Sequence, residues 1–345
     1  MSDERRDVIA IAKAPPIPGL VFRRLRIPAD LSSLVAVHEG SAQADGVDPL
    51  SSMESIPALD DMRAQFMPSP SYNPSANPSA NPSADGLVVE KDDQVIGYSR
   101  VTWWTERDGV WLYLTTGRLL PPWRGQGIGT AMLRWAESRA AALAATHPTN
   151  GVAMLGANAS STEIDAIELL RDAGYRETFS MVEMRFDAFD TLPPLELPPG
   201  LEFRPATPDQ YRAIWESVQA AYADSPQSVI ATEEDYQEWL ASPAFDPTLW
   251  RVAWDGERIA GQTLCEIAKG RGEVAEVSVG TSWRRHGLGY ALVIAGLRAL
   301  AEHDMSEARL HARADNIYGA PRLYERVGFR PLKRFARYRK PLQLS

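Results

Sequence analysis

The chain has 345 residues, enough for two domains at about 150 residues each. Its 44% apolar and 23% charged residues are those of a globular protein, not of a disordered or fibrous one. A net charge of −9 and a pI near 5.2 exclude a general binder of nucleic acid or anionic membrane and leave room only for a local basic patch serving a small anion. The lone cysteine, Cys265, rules out an intrachain disulfide and suits a small core residue. With no signal-like N-terminus and no apolar run of membrane-spanning length, a cytoplasmic protein is expected. An arginine-rich, lysine-poor, alanine-rich composition points to a GC-rich bacterial genome.

In chain order, Leu20, Phe22 and Arg23 mark a first strand after an N-terminal tail, residues 1–19. Residues 73–84 read NPSANPSANPSA, whose prolines block helix and ladder alike, so a mobile surface loop is expected. Trp103, Trp104, Trp111 and Tyr113 suit the core of a sheet better than an acceptor cleft. A glycine motif follows at Trp123, and Leu192 to Gly200, LPPLELPPG, has the composition of a stiff linker, placing a boundary near residue 195.

Beyond it, LEFRPA reads as a strand, and Asp209 to Ala223 and Glu233 to Leu240 read as helices. LWRVAWDGERIAGQTLCEI reads as a hairpin turning at Asp255 and Gly256, and EVAEVSVG as a strand running into the second glycine motif and a helix to about Glu302. The strand ARLHARA, the helix IYGAPRLYERVG and the strand RFARYRKPL complete the order β-α-α-β-β-β-α-β-α-β, a mixed sheet with helices on both faces.

The two halves are copies. WRGQGIGTAML from Trp123 matches WRRHGLGYALV from Trp283 at an offset of 160, Leu20, Phe22 and Arg23 echo Leu201, Phe203 and Arg204, and Gly174 and Tyr175 echo Gly328 and Phe329. The interval from Phe22 to Gly97 exceeds that from Phe203 to Gly261 by 17 residues, and the low-complexity stretch fills most of the excess.

A glycine-rich turn between an apolar strand and a helix sets unpaired N–H groups and a partial positive charge toward an anion. Gly287 and Gly289, like Gly127 and Gly129, let the backbone close on a phosphate, and Arg284, Arg285, His286 and Arg124 add charge. The motif lacks the lysine of a nucleoside-triphosphate loop and the acidic residue of a dinucleotide fold.

With its R-x-x-G-x-G loop, the preceding strand EVAEVSVG and the downstream stretch DNIYGAPRLYERVGF, the sequence resembles the GNAT superfamily of N-acetyltransferases, in both halves. The resemblance implies an α/β (α+β) fold class: two tandem GNAT folds, each a mixed, mostly antiparallel sheet flanked by helices, over residues 20–191 and 201–345. It implies acetyl-CoA as co-substrate, with no metal, and a small-molecule amine as partner. Val277, Ser278 and Val279 would bond pantetheine through their backbone. Arg284, Arg285, His286, Gly287, Leu288, Gly289 and Tyr290 would grip pyrophosphate, with Arg124, Gly125, Gln126, Gly127, Ile128, Gly129 and Thr130 as their first-copy counterparts. Asn316 would contact the CoA arm, and Ala320 stands one residue later than the family's alanine. Tyr324 would protonate the departing thiolate as general acid.

An amine must lose a proton before it attacks, and Glu273 or Glu276 on the strand before the loop is the expected general base, Glu273 standing where several family members keep theirs. Strand alternation sets the two on opposite faces unless a bulge intervenes. The first copy departs, with Leu170 where Tyr324 stands and Asn158 at a different spacing, so catalysis is expected in the C-terminal copy, as in the diverged halves of mycothiol synthase-like tandem proteins. The five histidines show no metal-ligand spacing. The resemblance implies that the acceptor is chosen by Asp224 to Phe245 and the region before Leu87, and acidic net charge favours a cationic one. A catalytically idle acyl-CoA sensor and a transferase of longer acyl groups are the rival readings. No nucleic acid or membrane partner is expected, and the chain is a monomeric pseudo-dimer or a homodimer.

Overall fold

The computed structural model of the chain describes residues 7–66, 83–147, 152–223, 230–316 and 318–343. Residues 73–82 of the low-complexity stretch and 224–229 of the expected acceptor segment lie outside them. The chain forms two compact units, one of residues 1–178 and 336–345, the other of 179–335. The proline-rich stretch 192–200 therefore lies within the second unit.

The first unit contains β1 (Leu20–Arg24), α1 (Leu31–Ala42), α2 (Leu59–Phe66), β2 (Gly86–Lys91), β3 (Gln94–Thr105), β4 (Trp111–Leu119), α3 (Ile128–Ala144), β5 (Ala153–Ser160) and α4 (Ile164–Asp172). Strand β6 (Arg176–Phe186) leaves it at Phe179, and the end of β12 (Arg330–Pro341) returns to it at Ala336. Its strand order is β1-β2-β3-β4-β5-β12, antiparallel from β1 to β4 and parallel between β4 and β5. Trp103 and Tyr113 are buried in its core.

The second unit holds β7 (Glu202–Arg204), α5 (Tyr211–Ala221), α6 (Glu233–Ala241), β8 (Arg251–Asp255), β9 (Arg258–Ala268), β10 (Arg271–Val279), α7 (Leu288–Glu302), β11 (Ala308–Arg313) and α8 (Ala320–Val327). Its strands run β6-β11-β10-β9-β8-β7, with β10 and β11 the parallel pair and the other neighbours antiparallel. These elements follow the order expected from the sequence. Helix α5 starts two residues late because Pro208–Gln210 forms a 3-10 turn closed by the Thr207–Gln210 capping box. Helix α8 begins at Ala320 because left-handed Gly319 precedes it.

Period-two alternation along β9 decides what each helix covers. Thr263 and Cys265 face α7, where a methyl group built on Gly296 would lie 2.8 Å from the Cys265 Sγ, so only glycine lets helix and sheet come this close. Leu292, Ile294, Leu297 and Leu300 of α7 are fully buried there, each worth about 1.5–3 kcal/mol of transfer free energy. Burial pushes the Cys265 thiol up to about 12, in keeping with a core residue. The opposite face carries Gln262, whose Nε2 donates to the Ile214 carbonyl of α5 at 2.8 Å, and then Leu264 and Glu266. That second face is where the site forms. Among the described residues no helix is long and apolar enough to cross a membrane.

Candidate active site

Strand β10 ends at Val279, and one 3-10 turn, Thr281–Trp283, leads into the glycine loop and α7. Arg285 (φ 68°) and Gly287 (φ 88°) are left-handed, which turns successive N–H groups toward one concavity suited to an anion. Gly287 caps α7 without a side-chain acceptor, so the helix presents its first-turn donors outward. The Arg284 Nε donates to the Val279 carbonyl at 3.1 Å, and its guanidinium lies 4.4 Å from the Tyr318 ring centroid. His286, Gly287 and Tyr290 border a cavity of about 320 Å³ with Arg326, which lies over the Tyr290 ring. Leu288 is buried in the core, and a Cβ at Gly289 would meet Leu323 at 3.2 Å. Backbone donors that find no side-chain cap among the described residues, with an arginine beside them, form a set that fits a pyrophosphate.

The parallel pairing of β10 with β11 covers only Gly272 with Ala308 and Glu273 with Arg309. Beyond it the strands part, and from Ala275 to Val279 the β11 side of β10 has no ladder partner among the described residues. The backbone of Val277, Ser278 and Val279 thus faces a wedge-shaped opening, the shape that a flexible amide-bearing arm can fill by completing the ladder. The Ser278 Oγ is buried without a hydrogen-bond partner among the described residues.

A β-bulge decides where the glutamates point. Val274 pairs with Cys265 but Glu276 pairs with Leu264, so Ala275 is the extra residue. Since Glu273 pairs with Glu266, both glutamates lie on the Leu264 and Glu266 face. Their surroundings differ. Glu273 is buried, 2.9 Å from the Arg271 guanidinium and 3.7 Å from the His311 ring nitrogen. Glu276 is half-buried and accepts from the Tyr222 hydroxyl at 3.0 and 3.1 Å. Burial pushes Glu276 up to about 7, against the opposing pull of the Tyr222 hydrogen bond and of His311. Tyr324, on α8, is buried, and desolvation followed by the Glu276 charge raises its pKa above the ordinary tyrosine value. Glu276, Tyr222 and Tyr324 therefore form one electrostatic cluster. Asn316 shapes the entry to α8, its Oδ1 accepting from the Tyr318 and Ala320 N–H groups at 2.9 and 3.3 Å.

A family model described as the acetyltransferase (GNAT) family matches residues 57–159 and 211–329, together well over half of the chain. The chain belongs to this family. It is an acyltransferase. The mycothiol acetyltransferase of Kineococcus radiotolerans is 32% identical over 250 residues, covering 70% of this chain and 77% of that protein. That of Geodermatophilus obscurus is 28% identical over 315 residues, covering 88% of this chain and 91% of that protein. Among solved structures, a GCN5-related N-acetyltransferase from Sphaerobacter thermophilus shares the fold at a TM-score of 0.73 and 23% identity, covering 95% of this chain and 97% of that one. A tandem GNAT protein from the clavulanic acid biosynthesis pathway shares it at 0.65 and 17%, covering 94% and 99%.

The first GNAT copy keeps the loop and loses the cluster. Gly125 and Gly127 adopt positive φ, Gly127 caps α3 (led by Ile128, Gly129 and Thr130) without a side-chain acceptor, and the Arg124 Nε donates to the Leu119 carbonyl just as Arg284 does to Val279. The Gln126 amide turns back to the Pro122 carbonyl. The Arg124 guanidinium, however, meets Asp45 at 2.7 and 3.0 Å and Asp165 at 3.3 Å. Strand β4 pairs with β3 without a bulge from Trp111 to Leu119, and with β5 as far as Thr115. Tyr113 and Thr116 stand where β10 has Glu273 and Glu276, and a buried Leu170 where α8 has Tyr324. Sequence reading did not single out Tyr222 or Asp45. Each meets its partner across a long separation, 54 residues for Tyr222 and Glu276 and 79 for Asp45 and Arg124, which no local pattern signals.

Proposed function

We propose that the second unit transfers the acetyl group of acetyl-CoA to a primary amine by direct attack, with Glu276 as the base and Tyr324 as the acid. Glu276 accepts a proton from the ammonium, directly or through one water. The freed amine attacks the thioester carbon, the C–S bond breaks, and Tyr324 gives its proton to the leaving sulfur. The second proton released from nitrogen restores Tyr324. The observation that carries this reading is a half-buried carboxylate poised near neutrality in one cluster with a tyrosine that stays protonated. Glu273 is assigned a supporting part, because Arg271 and His311 already hold its charge.

Bound acetyl-CoA would rest its pyrophosphate on the loop from Arg284 to Tyr290 and align its amide-bearing arm with Val277, Ser278 and Val279. Asn316 would set the start of α8 beside it. In the first unit a phosphate at Arg124 would have to compete with Asp45, so the loop from Arg124 to Thr130 is assigned a structural part. The relatives' names add a mycothiol-type acceptor to the panel to assay. The test is thiol release from acetyl-CoA with that panel across pH. Acetylation of at least one amine, with kcat/KM falling as pH drops below about 7, is expected; CoA binding without release from any amine would return the sensor reading.

A further inference from the structure

Beside Glu276, in the second unit, lies a cavity of about 180 Å³ between the α5 and α6 region and the sheet. Its walls include Trp215, Trp239, Phe245 and Trp250, and its sheet side includes Glu266 and Glu276. The aromatic wall is rigid: the Trp239 and Trp250 rings stack at 5.2 Å, and Phe245 packs edge-on against both at 5.0 and 4.9 Å. The Glu266 carboxylate forms no hydrogen bond or ion pair with any described residue, although half-buried. Arg271, on the same face, is engaged with Glu273.

A carboxylate left without a partner in a partly desolvated cavity is costly, unless a ligand brings the matching charge. Burial, and after it the neighbouring Glu273 charge, push the Glu266 carboxyl above its ordinary value, and a cation seated beside it would offset both. Aromatic faces favour the same kind of ligand, since their quadrupole attracts ammonium groups and their area packs methylenes. The spacing then limits the ligand. Glu276 pairs with Leu264, and Glu266 lies two residues further along β9 on the same face. Two residues along a strand and one strand across set the Cα atoms of the two glutamates about 8 Å apart. A chain of about five methylenes between two nitrogens spans that distance.

Resting on the acetyl transfer reading, we propose that the acceptor is a dication, a diamine or polyamine with its reacting nitrogen at Glu276 and a second ammonium held by Glu266 against the aromatic wall. Glu266 is then a binding residue that selects the acceptor and takes no part in proton transfer.

The experiment compares α,ω-diamines of three to eight carbons with monoamines of equal length, in wild type and in Glu266→Gln. The expected result is a kcat/KM ratio of diamine to monoamine of roughly tenfold or more, peaking near five carbons, the worth of one charge-assisted hydrogen bond. In Glu266→Gln the ratio falls toward one, through KM. Calorimetric binding of cadaverine and of pentylamine to the CoA-loaded protein makes the same comparison without turnover. Equal affinity for the two, or a cadaverine preference that survives Glu266→Gln, overturns this proposal. Selective cadaverine binding with no acetylation of any amine would overturn the acetyl transfer reading and leave the dication site standing.

Discussion

The two glycine loops share one backbone and differ in what surrounds their arginine. Arg124 and Arg284 both brace the preceding strand through Nε, yet Arg124 turns its guanidinium into a network of Asp45, Asp165, Arg118 and Glu163, while Arg284 lies over the Tyr318 ring at the mouth of the wedge. The strands leading to them diverge in the same sense. β10 is bulged, stops pairing with its parallel neighbour at Glu273 and bears two carboxylates on one face, whereas β4 is regular and paired through Thr115. The glycine loop and the opening of the parallel strands before it are thus kept in both copies, while the register defect and the carboxylate pair on one face belong to the second.

If that contrast is correct, the largest effect comes from Glu276→Gln, which should lower kcat by a factor of about 10² to 10³ and flatten the acid limb of the pH–rate profile. The sign of that limb is set by the raised pKa: the base works only when ionised, so wild-type activity fades as pH falls through about 7. The same shift means that folding favours the neutral form, so Glu276's stabilising contribution is complete below the ordinary carboxylate range and is lost as pH rises through about 7. Glu276→Gln should therefore be at least as heat-stable as wild type at pH 8.

Asp45→Ala breaks the first unit's network instead. It strips the buried acceptor from Arg118 and Arg124 and should cost about 3 kcal/mol in denaturant unfolding of the first unit, with kcat unchanged. Paired glycine variants sharpen the contrast further. Gly287→Val and Gly127→Val each force a branched residue into positive φ where a Cβ itself meets no close neighbour, so each should lose a similar 1–2 kcal/mol or so. Only Gly287→Val should raise the KM for acetyl-CoA, by about tenfold. The smallest effect belongs to Tyr222→Phe, which removes a hydrogen bond that lowers the Glu276 pKa. Its acid limb should move to higher pH, costing a few-fold of activity at neutrality.

Much of the fold was legible because the signals were local. The tandem repeat, the glycine loops between strand and helix, and the alternating apolar residues of β9 and β10 lie in contiguous stretches. The loss of Tyr324's hydroxyl at Leu170 was equally plain. What could not be read is what register and long separation create. Alternation alone sets Glu273 and Glu276 on opposite faces, and only the pairing of β10 with β9 shows Ala275 as the extra residue that unites them. The hold of Arg271 on Glu273, the Tyr222 hydroxyl on Glu276 and the Asp45 carboxylate at Arg124 likewise depend on packing. The aromatic cavity draws Trp215 from α5, Trp239 from α6 and Trp250 from just before β8, and follows the same rule.

The most direct test of the claim that only the second unit turns over is acetyl-CoA thiol release by Tyr324→Phe and Gly127→Val, measured side by side with one accepted amine. Tyr324→Phe is expected to lose about 10²-fold or more in kcat while Gly127→Val turns over at the wild-type rate. Full activity in Tyr324→Phe, or activity lost in a stably folded Gly127→Val, would contradict it.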